Sequence, residues 1–327
     1  MTTVEKIRLL VVEDNDASAS DYVRALEEAG YHVERASAKS DAVELASRRP
    51  EVVLLDLQLP SSPGRSDENV QHGLDVLEAL VSADPFQPIV VMTAHSNNRE
   101  LMRGVLQRNR GGQFVFKDAD NLEAGLLAAV AVALADPAYT MSRSVRQFRA
   151  MLDEERSEDD YRKFIATHWR ALLGPEYKDC RSPYEVSRGA EVDLFAVRHD
   201  DFPDLWELKR PRDAMFRKYN DWYFQSEATA KAFGQMVDYC DLVRRDSQVK
   251  RSYEARKGLG TVELSRPRGF VVIGRYTGDP DERKRQRDRV RLENSYYAGL
   301  TLMTYDDLVE RAEQFLGFLH GYRPARA

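Results

Sequence analysis

The chain has 327 residues, 43% of them hydrophobic and 31% charged, with a formal net charge of -6. That length favours two domains with separate cores, and the composition sets aside the disordered class. No apolar run approaches the roughly 18 to 20 residues that cross a bilayer, and the start MTTVEKIRLLVVEDN lacks a secretory pattern, so a cytoplasmic protein with no membrane association is expected.

Cys180 and Cys240 stand far apart with no CxxC or nearby His, which argues against a disulfide framework and a structural zinc site. The six histidines show no HxH or HExxH spacing, and no GxxxxGK[ST] phosphate loop occurs. Charge is uneven. Residues 1 to 140 hold 13 Lys+Arg against 22 Asp+Glu, whereas residues 244 to 291 hold 15 Lys+Arg against 7 Asp+Glu. The basic stretch, with Arg283, Lys284, Arg285 and Arg287 at its centre, reads either as a DNA-backbone contact or as a solvated helix face.

In chain order, apolar runs at 7–13, 32–37, 52–56, 88–94 and 113–117 alternate with stretches of helical period. This predicts an α/β domain with a parallel sheet covered on both faces, over residues 1–136. Ligands of such sheets gather at the carboxyl ends of the strands. There stand Glu13 and Asp14, then Asp56, Thr93 and Lys117. Three converging carboxylates repel one another unless a hard cation sits among them, and their oxygen donors suit Mg²⁺.

The strings VVEDN, LLDLQLP, GLDVL, MTA and FVFKD resemble the receiver domain of bacterial two-component response regulators, which has a flavodoxin-like (βα)5 fold. The resemblance implies that Asp56 is the phospho-acceptor, served by a histidine kinase or another phosphodonor. It further implies that Glu13, Asp14, Asp56 and the carbonyl of Gln58 hold Mg²⁺, that Thr93 and Lys117 contact the phosphoryl oxygens, and that Phe114 is the switch aromatic. One departure stands out: residues 61–72 make a longer turn than is usual beside such a pocket.

Residues 137–157 place Val145, Phe148 and Leu152 at helical spacing, which predicts a linker helix packed on itself or on a second subunit of a homo-oligomer. Residues 158–327 mix helices with strand-like runs, unlike a helix-turn-helix output domain. The expected elements are a helix at 159–174, strands in YEVS, EVDLFAVR and DLWELK, a long helix over 221–245, strands GFVVIG and LTLMTY, and a closing helix at 306–319. Trp222, Tyr223 and Phe224 read as a packing wedge at the start of the long helix, with base stacking as the alternative.

Strand alternation puts Glu207 and Lys209 on one side with Leu208 on the other, and a return through RHDDFP brings Asp193 opposite them. Two carboxylates beside a lysine suit metal-assisted hydrolysis of a phosphodiester. This D…ExK hairpin resembles the PD-(D/E)XK nuclease superfamily, whose fold is restriction-endonuclease-like. Through ELKRP, GQMVDY and DDYRKFIATHWRALLG it resembles more closely the C-terminal nuclease domain of the Shedu anti-phage proteins. The resemblance implies metal ligands Asp193 and Glu207, a catalytic Lys209, and Gln235 facing the scissile phosphate. Glu158 is a candidate additional acid, in competition with Glu154 and Glu155. Mg²⁺, with Mn²⁺ able to substitute, is the expected cofactor of both domains. The expected function is a phosphorylation-responsive DNA endonuclease in phage defence. The alternative is a signalling module whose nuclease-like domain only binds nucleic acid or a protein partner.

Overall fold

The computed structural model describes residues 6–94, 99–109, 112–245, 247–255 and 261–319. The outer ends of the two expected domains, 1–5 and 320–327, lie outside the described residues, as do Arg256 and Lys257 of the basic stretch. The chain forms two compact units, one reaching Thr140 and one spanning Met141–Gly317.

In the first unit five strands, β1 (Arg8–Val12), β2 (His32–Ala36), β3 (Val52–Asp56), β4 (Ile89–Thr93) and β5 (Gln113–Phe116), pair in parallel in the order β2-β1-β3-β4-β5. Helices α1 (Asp16–Glu28), α2 (Lys39–Ala46), α3 (Val70–Ala83), α4 (Arg99–Arg108) and α5 (Leu122–Leu134) alternate with them. The strands read as unbroken apolar runs because both of their faces are buried. Leu10, Val12, Val53, Leu55 and Val91 pack with Val76 and Leu77 of α3. Leu9, Val11, Leu54, Val90 and Met92 pack with Leu26 of α1 and with Leu126 and Val130 of α5. This is the flavodoxin-like fold, and its strand order puts β1, β3 and β5 acid and lysine side chains within reach at one edge.

The long turn after β3 is tied down at its base. Leu59 and Asn69 form an antiparallel bridge, and Ser61 bonds Asp67 through its N–H at 2.9 Å and its hydroxyl at 2.6 Å. The carbonyls of Pro60 and Ser61 accept the N–H groups of Lys39 and Ser40, so the turn satisfies the start of α2, which has no side-chain cap of its own. At Gly73 a Cβ would lie 2.2 Å from the Leu57 carbonyl oxygen, so only glycine lets α3 approach the segment that follows Asp56.

Helix α6 (Pro137–Leu152) spans the boundary at Thr140. The rest of the second unit comprises α7 (Glu158–Thr167), α8 (Trp169–Leu172), β6 (Tyr177–Arg181), β7 (Tyr184–Ser187), β8 (Ala190–Val192), β9 (Leu194–Arg198), β10 (Pro203–Leu208), β11 (Phe216–Tyr219), β12 (Trp222–Gln225), α9 (Glu227–Arg245), α10 (Ser247–Glu254), β13 (Arg268–Val272), α11 (Pro280–Tyr296), β14 (Leu300–Met303) and α12 (Tyr305–Leu319). Its main sheet has the order β14-β13-β10-β9-β6, with β10 antiparallel to β9 and parallel to β13. Phe195, Val197, Leu205 and Val271 on one face pack under Ala232, Phe233 and Met236 of α9. Phe148 of α6 is fully buried and stacks on Phe164 at 5.6 Å, so this part of the expected linker is core of the second unit.

Several expected elements differ: the helix expected over 159–174 breaks at His168 into α7 and α8, and the strand expected in EVDLFAVR breaks at Asp193 between β8 and β9. The helix predicted over 221–245 begins at Glu227, and residues 216–225 form a separate hairpin, β11–β12. Edge strand β6 has no counterpart among the expected strands, because YKDCR has too few apolar residues to show a period. Among the described residues no single helix is long and apolar enough to cross a membrane.

Candidate functional site

The first cluster stands at the carboxyl edge of the parallel sheet. Glu13 and Asp56 are buried, and the Lys117 ammonium donates to Glu13 Oε2 at 2.6 Å and to Asp56 Oδ2 at 2.8 Å. The Gln58 N–H donates to Asp56 Oδ1 at 3.3 Å, while the Lys117 N–H donates to the Thr93 carbonyl at 3.0 Å, joining β5 to β4. Ligand oxygens of Glu13, Asp14 and Asp56 lie within 4.8 Å of one another, the only such acid, His or Cys group among the described residues. Burial, then in Glu13 the neighbouring Asp56 charge, raises both acids above the usual carboxylate range. Burial also works against the Lys117 ammonium, but the charges and hydrogen bonds of Asp56 and Glu13 outweigh it and hold the lysine protonated. Three hard oxygen donors with shared, unfavourable charge fit a divalent cation such as Mg²⁺. Phe114 is half-buried against the α3 and α4 side of the core. A cavity of about 640 Å³, lined by Phe86, Gln107, Val132 and Tyr139 among others, lies at the opposite ends of β4 and β5 and takes no part in this chemistry.

The second cluster lies where β8 gives way to β9. Strand pairing matches Leu194 with Trp206, so Asp193, one residue earlier, stands across from Glu207. Asp193 Oδ2 accepts the Leu208 N–H at 2.7 Å, and Glu207 Oε1 accepts from the Lys209 ammonium at 2.6 Å. Leu208, between them, is fully buried on the other face. Lys209 follows the end of β10, but its N–H still donates to the Val272 carbonyl at 2.8 Å and keeps the strand line. Burial and the charge of Asp193 push Glu207 up to about 7. Asp193 is raised by burial against the opposing Leu208 hydrogen bond. Lys209 is held above its usual value because its bond to Glu207 and the surrounding acids outweigh burial.

Glu158 enters from α7. Ser157 caps that helix, accepting the Asp160 N–H while Asp160 accepts the Ser157 N–H, which fixes Glu158 at the first helical position. Burial raises Glu158, and of the charges acting on it Lys209, which lowers it, and Asp193, which raises it, have the largest effects. Its competitors are engaged elsewhere: Glu154 pairs with Arg156 and Glu155 with Arg212. Gln235 is on α9, above the sheet face that carries Asp193 and Glu207, and its amide donates to Tyr239 at 2.6 Å. The basic helix α11 divides. Arg283, Lys284 and Arg285 are exposed, while Arg287 pairs with Glu310 at 3.1 Å and lies over the Tyr276 ring.

Tyr305 is the residue that pattern reading missed. It is fully buried, its hydroxyl donates to the Lys209 carbonyl at 2.6 Å, and its ring lies 6.0 Å from Phe148 and 5.5 Å from Tyr161. In the sequence it ends the apolar run LTLMTY, which hides its place as the first residue of α12.

Comparison with known proteins finds one family match within each unit. Residues 9–127 match the family described as response regulator receiver domain, and residues 155–309 match Shedu protein SduA, C-terminal. Response regulator MprA of Mycolicibacterium vanbaalenii is 37% identical over 100 residues, which are 30% of this chain and 39% of that protein. Thus the chain spans about two-fifths of the length of that relative. Response regulator MprA of Mycobacterium avium is 29% identical over 266 residues, covering 80% of this chain and all of its own. Among solved structures, the signal receiver domain of a Luxo repressor protein from Vibrio parahaemolyticus is 26% identical, with a TM-score of 0.33, over 40% of this chain and 92% of its own.

Proposed function

From a chain that joins a response regulator receiver domain to a Shedu SduA C-terminal domain, we propose a phosphorylation-responsive, Mg²⁺-dependent DNA endonuclease that serves in bacterial defence against phage. The observation that carries this reading is the meeting of Asp193, Glu207 and Lys209 at one end of the mixed sheet, with Glu158 electrostatically joined to them.

In the receiver, an Asp56 carboxylate oxygen attacks the phosphorus of a phosphodonor such as a histidine kinase, and the donor's leaving group departs. Lys117, which now bridges Asp56 and Glu13, turns to the arriving phosphoryl oxygens, and the Thr93 hydroxyl lies at the end of the adjacent strand to meet them. Mg²⁺, held by Glu13, Asp14, Asp56 and the Gln58 carbonyl, supplies charge neutralisation there. Phe114 and α5 relay the change, and the receiver thereby controls assembly of a homo-oligomer or activity.

In the nuclease domain, Mg²⁺ or Mn²⁺ on Asp193 and Glu207 supplies Lewis acidity. Lys209, protonated, orients the attacking water and stabilises the charge that builds on the phosphate; Gln235 contacts the scissile phosphate, and Arg283, Lys284, Arg285 and Arg287 track the DNA backbone. The test is incubation of the purified full chain with supercoiled plasmid and Mg²⁺ or Mn²⁺ against an EDTA control. Metal-dependent nicking supports the reading. A second reading has its own observation: among the described residues, Asp193, Glu207 and Glu158 do not bring three ligand oxygens within 4.8 Å. On that reading the domain binds nucleic acid or a protein without cutting, and plasmid is retained but never nicked.

A further inference from the structure

The β11–β12 hairpin presents three aromatic rings to solvent. Its register pairs Tyr219 with Trp222 and Arg217 with Phe224, which puts these four side chains on one face. Tyr219 is 71% exposed, Trp222 69% and Phe224 51%. The other face does the packing: Tyr223 is buried beside Phe216 at 6.1 Å, its hydroxyl bonds Glu282, and Gln225 bonds Glu293 and Tyr297. The sequence expectation of a packing wedge therefore holds for Tyr223 and fails for Trp222 and Phe224. Asn220, at a φ of +53°, makes the tight turn that sets the strands in this register.

Cations stand on and beside the aromatic face. Arg217 shares that face, Arg210 and Arg212 occupy the loop that joins Lys209 to the hairpin, and the inner face is bonded to α11, which exposes Lys284 and Arg285. Arg210 pairs with Asp213 at 3.1 Å, Arg212 with Glu155 at 3.3 Å and Lys218 with Glu282 at 3.6 Å, so the face's own cation is Arg217, joined by exposed Lys284 and Arg285 and set against Asp221 at the tip and Asp281 at the start of α11. Aromatic faces bordered by arginine match a strand with unpaired bases: rings stack on the bases and cations follow the phosphates.

We infer that Tyr219, Trp222 and Phe224 form a stacking platform for unpaired bases of a nucleic-acid strand led from the Lys209 site. The inference rests on the nuclease reading only in the use made of the bound strand; binding itself needs no cleavage. The platform accepts any base, because each has a π face, and selects single-stranded over fully paired segments.

The experiment uses the full chain in EDTA, so that cutting is suppressed and a failure of catalysis leaves the result unaffected. Trp169 and Trp206 are 9% and 0% exposed, so quenching of solvent-exposed tryptophan emission reports Trp222. An oligothymidylate is expected to quench that emission, an abasic strand of equal length is not, and Trp222→Phe is expected to remove the signal while keeping most of the affinity. Joint substitution of Tyr219, Trp222 and Phe224 by serine, with Tyr223 kept, should weaken oligothymidylate binding at least tenfold and abasic binding less than twofold. Equal wild-type affinity for the two strands, or binding without quenching, overturns the inference even if the triple variant fails to fold. A fall in assembled mass on Trp222→Ser with unchanged strand affinity would assign the face to a second copy of the chain instead. Nicking of plasmid in a separate metal-containing assay tells whether the nuclease reading stands.

Discussion

The two acid–lysine clusters use the same parts and connect them differently. Lys117 comes from β5 to bridge Glu13 after β1 and Asp56 at the end of β3, so the cluster exists only when three strands are in place. Lys209 meets Glu207 two residues away on one strand line, and a second hydrogen bond, from the Leu208 N–H to Asp193, ties in the neighbouring strand. Lys117 thus neutralises two buried acids at once, whereas Lys209 has one carboxylate bonded and is otherwise held by its own backbone through Val272 and Tyr305. The lesson is that removing the first lysine uncompensates two buried acids and strikes chiefly at folding, while removing the second uncompensates one and, on the nuclease reading, strikes chiefly at chemistry.

The largest effect expected from this contrast is on cleavage. Lys209→Ala should take plasmid nicking below detection, a fall of about 10²-fold or more, since on the nuclease reading it removes a charge aimed at the transition state. DNA retention should stay close to wild type, and the loss of stability should be smaller than for Lys117→Ala because one bonded buried carboxylate rather than two is left uncompensated. Equal nicking by variant and wild type would break the contrast at its functional end.

Lys117→Ala should cost about 3 kcal/mol, the scale of breaking a buried pair and leaving its partners uncompensated. Glu13 and Asp56 would then be raised further, so the loss should be larger at pH 8 than at pH 5, where protonation relieves the repulsion. Chemical denaturation at the two pH values measures this. A loss that shrinks as pH rises contradicts the bridging account.

The Glu207 carboxyl gives a pH test of the second cluster. Its folded-state value, about 7, lies above the ordinary 4.5, so the folded chain holds the proton more tightly than the unfolded one. The associated stability is full below pH 4.5 and is lost as pH rises through about 7. In metal-free buffer the melting temperature of Glu207→Gln should therefore exceed wild type by more at pH 8 than at pH 5.

The extent to which the sequence announced all this differs between the clusters. Strand-end acids after unbroken apolar runs made Glu13, Asp14 and Asp56 legible, because a parallel sheet buries both faces and aligns its carboxyl ends. Asp193, Glu207 and Lys209 were legible from period-two alternation around a return loop. Residues 216–225 were misread because Trp222, Tyr223 and Phe224 are apolar and precede a helix; the exposure of two of them follows from hairpin register, which a short run does not reveal. Tyr305 was hidden since its role is a long-range hydrogen bond to a backbone carbonyl, which no local spacing encodes.

Tyr305→Phe isolates that bond. Removing one buried hydroxyl should cost about 1 to 2 kcal/mol in denaturant unfolding and lower the nicking rate several-fold at unchanged DNA affinity. A change in affinity with a constant rate would show that Tyr305 does not act through Lys209. The smallest effect is expected on α11. Lys284→Glu with Arg285→Glu should weaken DNA binding across sequences and flatten its salt dependence by roughly the two contacts removed. An unchanged salt slope would return this helix to the solvent.

The central claim is that phosphorylation at Asp56 governs a nuclease built on Lys209. Nicking of supercoiled plasmid in Mg²⁺, with and without beryllofluoride as the phosphoryl mimic, tests it in wild type, Asp56→Asn and Lys209→Ala, with assembled mass followed by light scattering. The account predicts that the mimic changes the wild-type rate and its assembly state, that Asp56→Asn keeps basal nicking without the response, and that Lys209→Ala does not nick under either condition. Identical wild-type rates and masses with and without bound mimic, or nicking that survives in Lys209→Ala, would contradict it.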